Sequence, residues 1–291
     1  MALPDLISGF SKALYSTWIR YRPDRLLFDC GEGCATALGN DGFAIETILL
    51  THGHIDHVGG LAPLLWARAS AKGDNQKPLR IAYPAEDLYL DDLRAYLARA
   101  EARLPFPITW LPLHAGDRIP LRAGRWAKTF ATEHVKNGQT LGYKVVENRR
   151  RLTSQALELS KSELRARASR GELDELHQEY EAILLAVGGD GTPLRPDQVQ
   201  DAEILLHEAT LLHAGERRHQ VHSTVEEAIE VAAEAKAKRL VLYHFSGRYS
   251  VGEIENEVRR CHLLHGGVPE IWCLSHDRLW LTTGEAKEAT P

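Results

Sequence analysis

Leu49-Leu50-Thr51-His52-Gly53-His54-Ile55-Asp56-His57-Val58-Gly59-Gly60 is the stretch that decides how this chain is read. It opens as the end of a short apolar run, Thr47-Ile48-Leu49-Leu50-Thr51, the pattern of a buried strand. Four metal-ligand side chains then fall within six residues, spaced H-x-H-x-D-H. In an extended loop, side chains two apart point to the same side, so His52 and His54 can share one ion. Asp56 and His57 come where the chain turns into a helix and can face a second position, while Gly53, Gly59 and Gly60 permit the tight path. Imidazole and carboxylate without thiolate suit zinc, with manganese or iron also compatible.

Working outward, other apolar runs end in the same way. His134 follows Trp126–Glu133, Asp190 follows Ala182–Gly189, and His244 follows Arg239–Tyr243. Taken singly, His134 or His244 is as readily a satisfied core or surface histidine as a ligand; with the cluster, they become candidate ligands. Asp190 has a special capacity, because the two oxygens of a carboxylate can bridge two cations, and two metals ~3.5–4 Å apart form a clamp suited to displacement at phosphorus. Glu208, in His207-Glu208-Ala209-Thr210, and His222, in Val221-His222-Ser223-Thr224, read as an acid–base pair. The carboxylate would hold the imidazole in one tautomer for protonating a leaving alkoxide.

The strands and helices alternate in two halves, which predicts one α/β unit spanning 1–291. Expected strands include Lys12–Tyr21, Arg25–Gly31, Thr47–Thr51, Arg80–Pro84, Ile108–Leu113, Ile271–Ser275 and Arg278–Thr283. Expected helices cover Leu61–Ala71, Glu86–Arg103 and Ser223–Lys236. Between the halves, residues 148–181 are nearly all charged and polar helix formers, which predicts an inserted helical arm.

Hydrophobic residues make up 44% of the chain, as in an ordinary globular protein. No apolar run reaches the length of a membrane span, and the opening residues lack a basic n-region followed by an apolar stretch. Cys30, Cys34, Cys261 and Cys273 show no C-x-x-C spacing and are too sparse for a disulfide framework, so a cytoplasmic setting is expected. The net charge of −5 argues against a generic nucleic-acid binder. Between Lys144 and Arg170, however, eight cations face three anions. Acidic residues from Glu172 to Glu181 offset them in the second half of the arm.

These segments together resemble ribonuclease Z, the tRNA 3′-processing endonuclease family of the metallo-β-lactamase superfamily. The likeness runs through FDCGEG (28–33), LLTHGHIDHVGGL (49–61), EHVKNGQTLGY (133–143), GGDG (188–191), LLHEAT (205–210), HST (222–224) and YHFSGRY (243–249). It implies a four-layered αβ/βα metallo-β-lactamase sandwich, here with the charged helical insert. It also implies two zinc ions, one on His52, His54, His134 and Asp190 and the other on Asp56, His57, Asp190 and His244. Asp56, Glu208 and His222 are then the catalytic residues, and Asp29 buttresses the metal loop. The implied partner is precursor tRNA, and a homodimer is typical of the family; Arg149, Arg150 and Arg151, in the basic half of the arm, and Arg248 are the candidate substrate contacts. Alternatives from other readings of the same site are a phosphodiesterase acting on small or cyclic nucleotides, and a catalytically idle RNA-binding protein. The chain departs from the family pattern at its opening, at Gly191, where Ser or Thr is common, and in the arm.

Overall fold

Short apolar runs, several of them too short to be anything but strands, build two sheets in the computed structural model, which describes residues 1–70, 76–134, 140–217, 221–276 and 278–283. The first sheet follows chain order: β1 (Ile7–Lys12), β2 (Ser16–Tyr21), β3 (Leu26–Phe28), β4 (Thr47–Leu49), β5 (Leu79–Pro84) and β6 (Ile108–Leu113). The second holds β7 (Arg118–Pro120), β8 (Trp126–Thr132), β9 (Thr140–Leu152), β10 (His177–Val187), β11 (Leu205–Glu208), β12 (Arg239–Tyr243), β13 (Glu270–Ser275) and β14 (Arg278–Thr283). In each sheet an antiparallel part leads into four parallel strands, β3 to β6 in the first and β10 to β13 in the second.

Three apolar layers hold the sheets and helices together. Between the sheets lie Ile19, Phe28, Leu49, Tyr143, Val187, Leu206 and Tyr243. Outside the first sheet, Leu27, Ile48 and Ile81 pack with Leu61, Leu65, Leu90 and Leu97 from the helices Leu61–Ala69 and Leu88–Glu101. Outside the second, Leu205, Leu240 and Ile271 pack with Ile229, Ala232 and Val258 from the helices Val225–Glu234 and Val251–His265. The central strands are therefore buried on both faces, which is why they read as unbroken apolar runs rather than alternating ones. This is the expected four-layered αβ/βα sandwich.

The helices start where the sequence offers caps. Thr224 and Glu227 form a capping box, as do Ser250 and Glu253, and Asp87 accepts from Tyr89 N and Leu90 N. Among the described residues no helix is long and apolar enough to cross a membrane.

Two local expectations are corrected, and one helix is added to them. Lys12–Tyr21 is not one strand, because Leu14 takes a left-handed conformation (φ 68°) that ends β1 and starts a turn into β2. The helix Val251–His265 was not foreseen. In the arm, only Ser154–Leu157, Lys161–Ser169 and Leu173–Leu176 are helical, while its flanks continue β9 and β10 as an antiparallel ribbon. Helix-forming residues are extended there because each is paired across the ribbon: Arg150 stands opposite Glu179, and Arg149 opposite Tyr180. Arg150 and Glu179 face each other with opposite charges, and Arg151 lies over the Tyr180 ring at 4.8 Å; cross-strand neighbours of this kind favour the strand over intrinsic propensity.

Candidate active site

The chain leaves β3 at Asp29, which takes φ 55°, unusual for a residue with a side chain. Its buried carboxylate accepts from Thr51 N (2.8 Å), from Thr51 Oγ1 (3.0 Å) and from His57 Nδ1 (2.8 Å). The loop after β4 is thereby tied back onto the neighbouring strand. On its outer side, Gly53 N donates to Asp87 Oδ2 at 2.6 Å, while Asp87 Oδ1 caps the helix Leu88–Glu101. A Cβ on Gly53 would stand 2.5 Å from Asp87 Oδ1, so the loop requires glycine there.

The second sheet supplies the rest from the far ends of β8, β10, β11 and β12. His134 Nδ1 donates to Val221 O (3.1 Å), and its Nε2 lies 3.2 Å from His54 Nδ1. His244, also left-handed at φ 63°, is held by Thr210 Oγ1 on Nδ1 (2.8 Å) and by Ser11 Oγ on its backbone N–H (2.9 Å). Asp190 Oδ2 stands 3.2 Å from His57 Nε2 and 3.0 Å from His244 Nε2. Donor atoms of His52, His54 and His134 gather within 4.8 Å of one another, as do those of Asp56, His57 and His244, and those of His52, His57 and Asp190. Every ligand expected from the sequence is in this one cluster.

Among the described residues, several donors find nothing to bind. His52 Nε2, His57 Nε2, His244 Nε2 and Asp190 Oδ1 are buried without a hydrogen-bond partner; the close His57 and His244 approaches to Asp190 lack hydrogen-bonding geometry. Orphaned buried polar atoms are costly unless something satisfies them, and bound cations would satisfy these. Burial, then repulsion from His57, holds His52 well below its ordinary pKa, leaving a neutral imidazole with a lone pair to give. Burial also opposes protonation of His57, but the Asp190 and Asp29 carboxylates outweigh it and raise that group. The centre therefore demands positive charge, and the donor set fits divalent metal.

Beside it sits the dyad. Glu208 is fully buried, and its Oε1 accepts from His222 Nδ1 (2.9 Å), Gly191 N (3.1 Å) and Ser223 N (3.2 Å), with Oε2 accepting from Thr210 N (2.7 Å). Burial would raise its pKa, but the His222 hydrogen bond and charge prevail and it stays ionised. Gly191 thus contributes its backbone N–H directly, and a Cβ there would approach Glu133 O to 2.7 Å. His222 and His244 line a cavity of about 400 Å³ together with Leu14, Thr210, Glu216 and Arg248.

Arg248, a candidate substrate contact, is thus part of the cavity lining beside His222 and His244. Arg149, Arg150 and Arg151 do not gather at the centre; they lie on the ribbon of the arm. Arg149 is already bound by Glu147 (2.6 Å) and Glu203 (2.5 Å), Arg150 by Asp174 (2.5 Å), and Arg151 covers the Tyr180 ring at 4.8 Å. Residues 135–139 of the EHVKNGQTLGY segment lie outside the described residues. Asp87 and Thr210 are the positioning groups that sequence reading passed over; the helix-cap position of Asp87, before an amphipathic helix, was the available signal.

Fold and donor cluster define a metal-dependent hydrolase of the metallo-β-lactamase fold. Among solved structures, the metallo-beta-lactamase fold protein YhfI from Bacillus subtilis matches with a TM-score of 0.65 at 13% identity, over 94% of this chain and 98% of that one. Human tRNase Z, short form, matches with a TM-score of 0.60 at 23% identity, over 83% and 93%. Residues 8–181 match the model of the family described as Anti-Pycsar protein Apyc1. Ribonuclease Z of Gemmatimonas aurantiaca is 33% identical over 261 residues, 81% of this chain and 82% of the relative; that of Myxococcus xanthus is 30% identical over 254 residues, 79% and 80%. The chain belongs to the ribonuclease Z family and, over residues 8–181, to the family described as Anti-Pycsar protein Apyc1.

Proposed function

We propose that this protein is a metal-dependent endoribonuclease that hydrolyses the phosphodiester at the 3′ trailer of precursor tRNA. The observation that carries the reading is the Glu208–His222 pair, 2.9 Å apart and beside the orphaned donors of the metal cluster. His52, His54 and His134 would hold one zinc ion and Asp56, His57 and His244 a second, with Asp190 placed to serve both. When bound, they supply charge neutralisation at the phosphoryl oxygens and lower the pKa of water.

The chain's own residues do the remainder. Asp29 and Thr210 fix the rings of His57 and His244 through Nδ1, leaving each Nε2 for the centre. With Nδ1 committed to Glu208, His222 keeps Nε2 for the substrate and delivers a proton to the leaving 3′ oxygen. The cavity beside His222, with Arg248 at its edge, accommodates the leaving strand, and the arm 148–181 makes phosphate contacts away from the chemistry. The test is to incubate the protein with end-labelled precursor tRNA and map the products. Cleavage at the 3′ trailer is the expected result. Turnover of a small cyclic phosphodiester with tRNA left intact would move the reading to a small-nucleotide phosphodiesterase.

A further inference from the structure

Around the mouth of the centre, apolar side chains stand in water where ligands would lead one to expect polar ones. Ile55, between His54 and Asp56, is 75% exposed; Leu88 and Tyr89, beginning the helix behind the loop, are 70% and 62% exposed. The Tyr89 ring meets the His54 ring at 6.1 Å and 64°. It is held at that place, since Tyr89 N donates to Asp87 Oδ1 (3.0 Å) and the other oxygen of the same carboxylate accepts from Gly53 N (2.6 Å). One buried carboxylate therefore fixes both the metal loop and the backbone that carries the ring. Clustered exposed apolar groups mark a surface that is covered in use.

We propose that Tyr89 is a stacking platform for an unpaired nucleobase next to the scissile phosphate, on the His54 side of the centre. The inference rests on the precursor-tRNA reading above. A phosphate at the metal cluster brings the base of an adjoining nucleotide to this rim, and every base offers a π face to an exposed ring whatever its sequence. A single-stranded trailer has such bases free, whereas a paired helix does not. Ile55 and Leu88 widen the apolar surface on which that base would rest.

The experiment measures kcat/KM on precursor RNAs in which single nucleotides flanking the cut are made abasic one at a time. On intact RNA, Tyr89→Ala should lower kcat/KM by about five- to a hundredfold, the scale of losing one base–aromatic stack, while Tyr89→Phe retains it. At one flanking position the abasic RNA should already show this loss with the unsubstituted protein, and Tyr89→Ala should add nothing further. Tyr96→Ala, on the same helix and 73% exposed, should leave the rate unchanged. An equal loss from Tyr89→Ala on every abasic RNA, or no loss at all, overturns the proposal and in the first case assigns Tyr89 to the fold or to a protein interface. If the protein cuts precursor tRNA but no position couples to Tyr89, the proposal alone falls; if it cuts no RNA, both readings fall.

Discussion

Asp29 Oδ2 accepts a hydrogen bond from His57 Nδ1 at 2.8 Å, and this contact decides which ring nitrogen faces the centre. The freed Nε2 then lies 3.2 Å from Asp190. Asp29→Asn offers one acceptor and two donors where three donors now converge. Metal affinity should fall about 10- to 100-fold, the usual cost of losing such a partner, as measured by equilibrium dialysis. Undiminished affinity would remove Asp29 from its buttressing place.

Asp190 stands between the two ligand groups, so Asp190→Ala should abolish both metal content and activity. Chelator should lower the melting temperature of the unsubstituted protein, since an ion present at 100 times its Kd stabilises by about 2.7 kcal/mol. The melting temperature of Asp190→Ala should ignore chelator. Two tightly held ions in that variant would refute the bridging assignment. His114, His213, His262 and His265 lie outside the cluster, and their alanine variants should keep normal metal content.

His222→Ala and Glu208→Gln should keep their metals while cleavage slows by roughly 10²–10⁴, as for loss of a general acid. A nitrophenyl phosphodiester needs little protonation and should be less affected; equal losses on both substrates would take the acid role from His222.

The same pair makes a pH prediction. Burial depresses the His222 pKa, but the Glu208 hydrogen bond and charge outweigh it, with a net rise. An acid with a raised pKa holds its proton to higher pH. Removing the Glu208 charge by Glu208→Gln should therefore move the alkaline limb of the rate profile to lower pH. A limb that stays in place would assign it to another group.

In the arm, the three arginines should no longer behave alike. Arg149, held by Glu147 and Glu203, should affect stability more than RNA affinity when replaced by alanine. Arg150 and Arg151 are free to exchange a single carboxylate or a ring for phosphate. Replacing both by alanine should weaken precursor tRNA binding and reduce the log–log salt slope by about 2. Hydrolysis of a small phosphodiester should stay unchanged; a parallel loss there would mean that the ribbon supports the fold.

Most of the metal ligands were legible in the sequence because β4, the end of β10 and β12 are buried on both faces and announce themselves as apolar runs, whereas His134 follows β8, whose burial alternates. Glu208 was legible for the same reason, at the end of Leu205–Glu208, whereas His222 lies in the loop before the helix Val225–Glu234 and was marked by the helix-capping Ser223-Thr224 step beside it. What escaped was set by tertiary contact. Gly9 in β1 would place a Cβ 2.6 Å from Trp18 O, so the strand Ile7–Lys12 is shaped by close packing rather than by large apolar residues. The arm's Arg and Glu residues favour helix in isolation, yet cross-strand pairing extends them. The helix Val251–His265 did carry its signal, the Ser250–Glu253 capping box, beneath a sequence with few apolar residues at its start.

Among the described residues the chain passes from one sheet to the other once, between Leu113 and Arg118, and neither side of that crossing carries a complete site. Residues up to Leu113 bring His52, His54, Asp56 and His57; those after it bring His134, Asp190, Glu208, His222 and His244. Ligation is thus a long-range event in folding, possible only after the sheets have met, and bound metal acts as a rivet that reports their docking. Two fragments cut within residues 114–117 would each be a half-site, and the appearance of tight metal binding on mixing would time their reassembly directly.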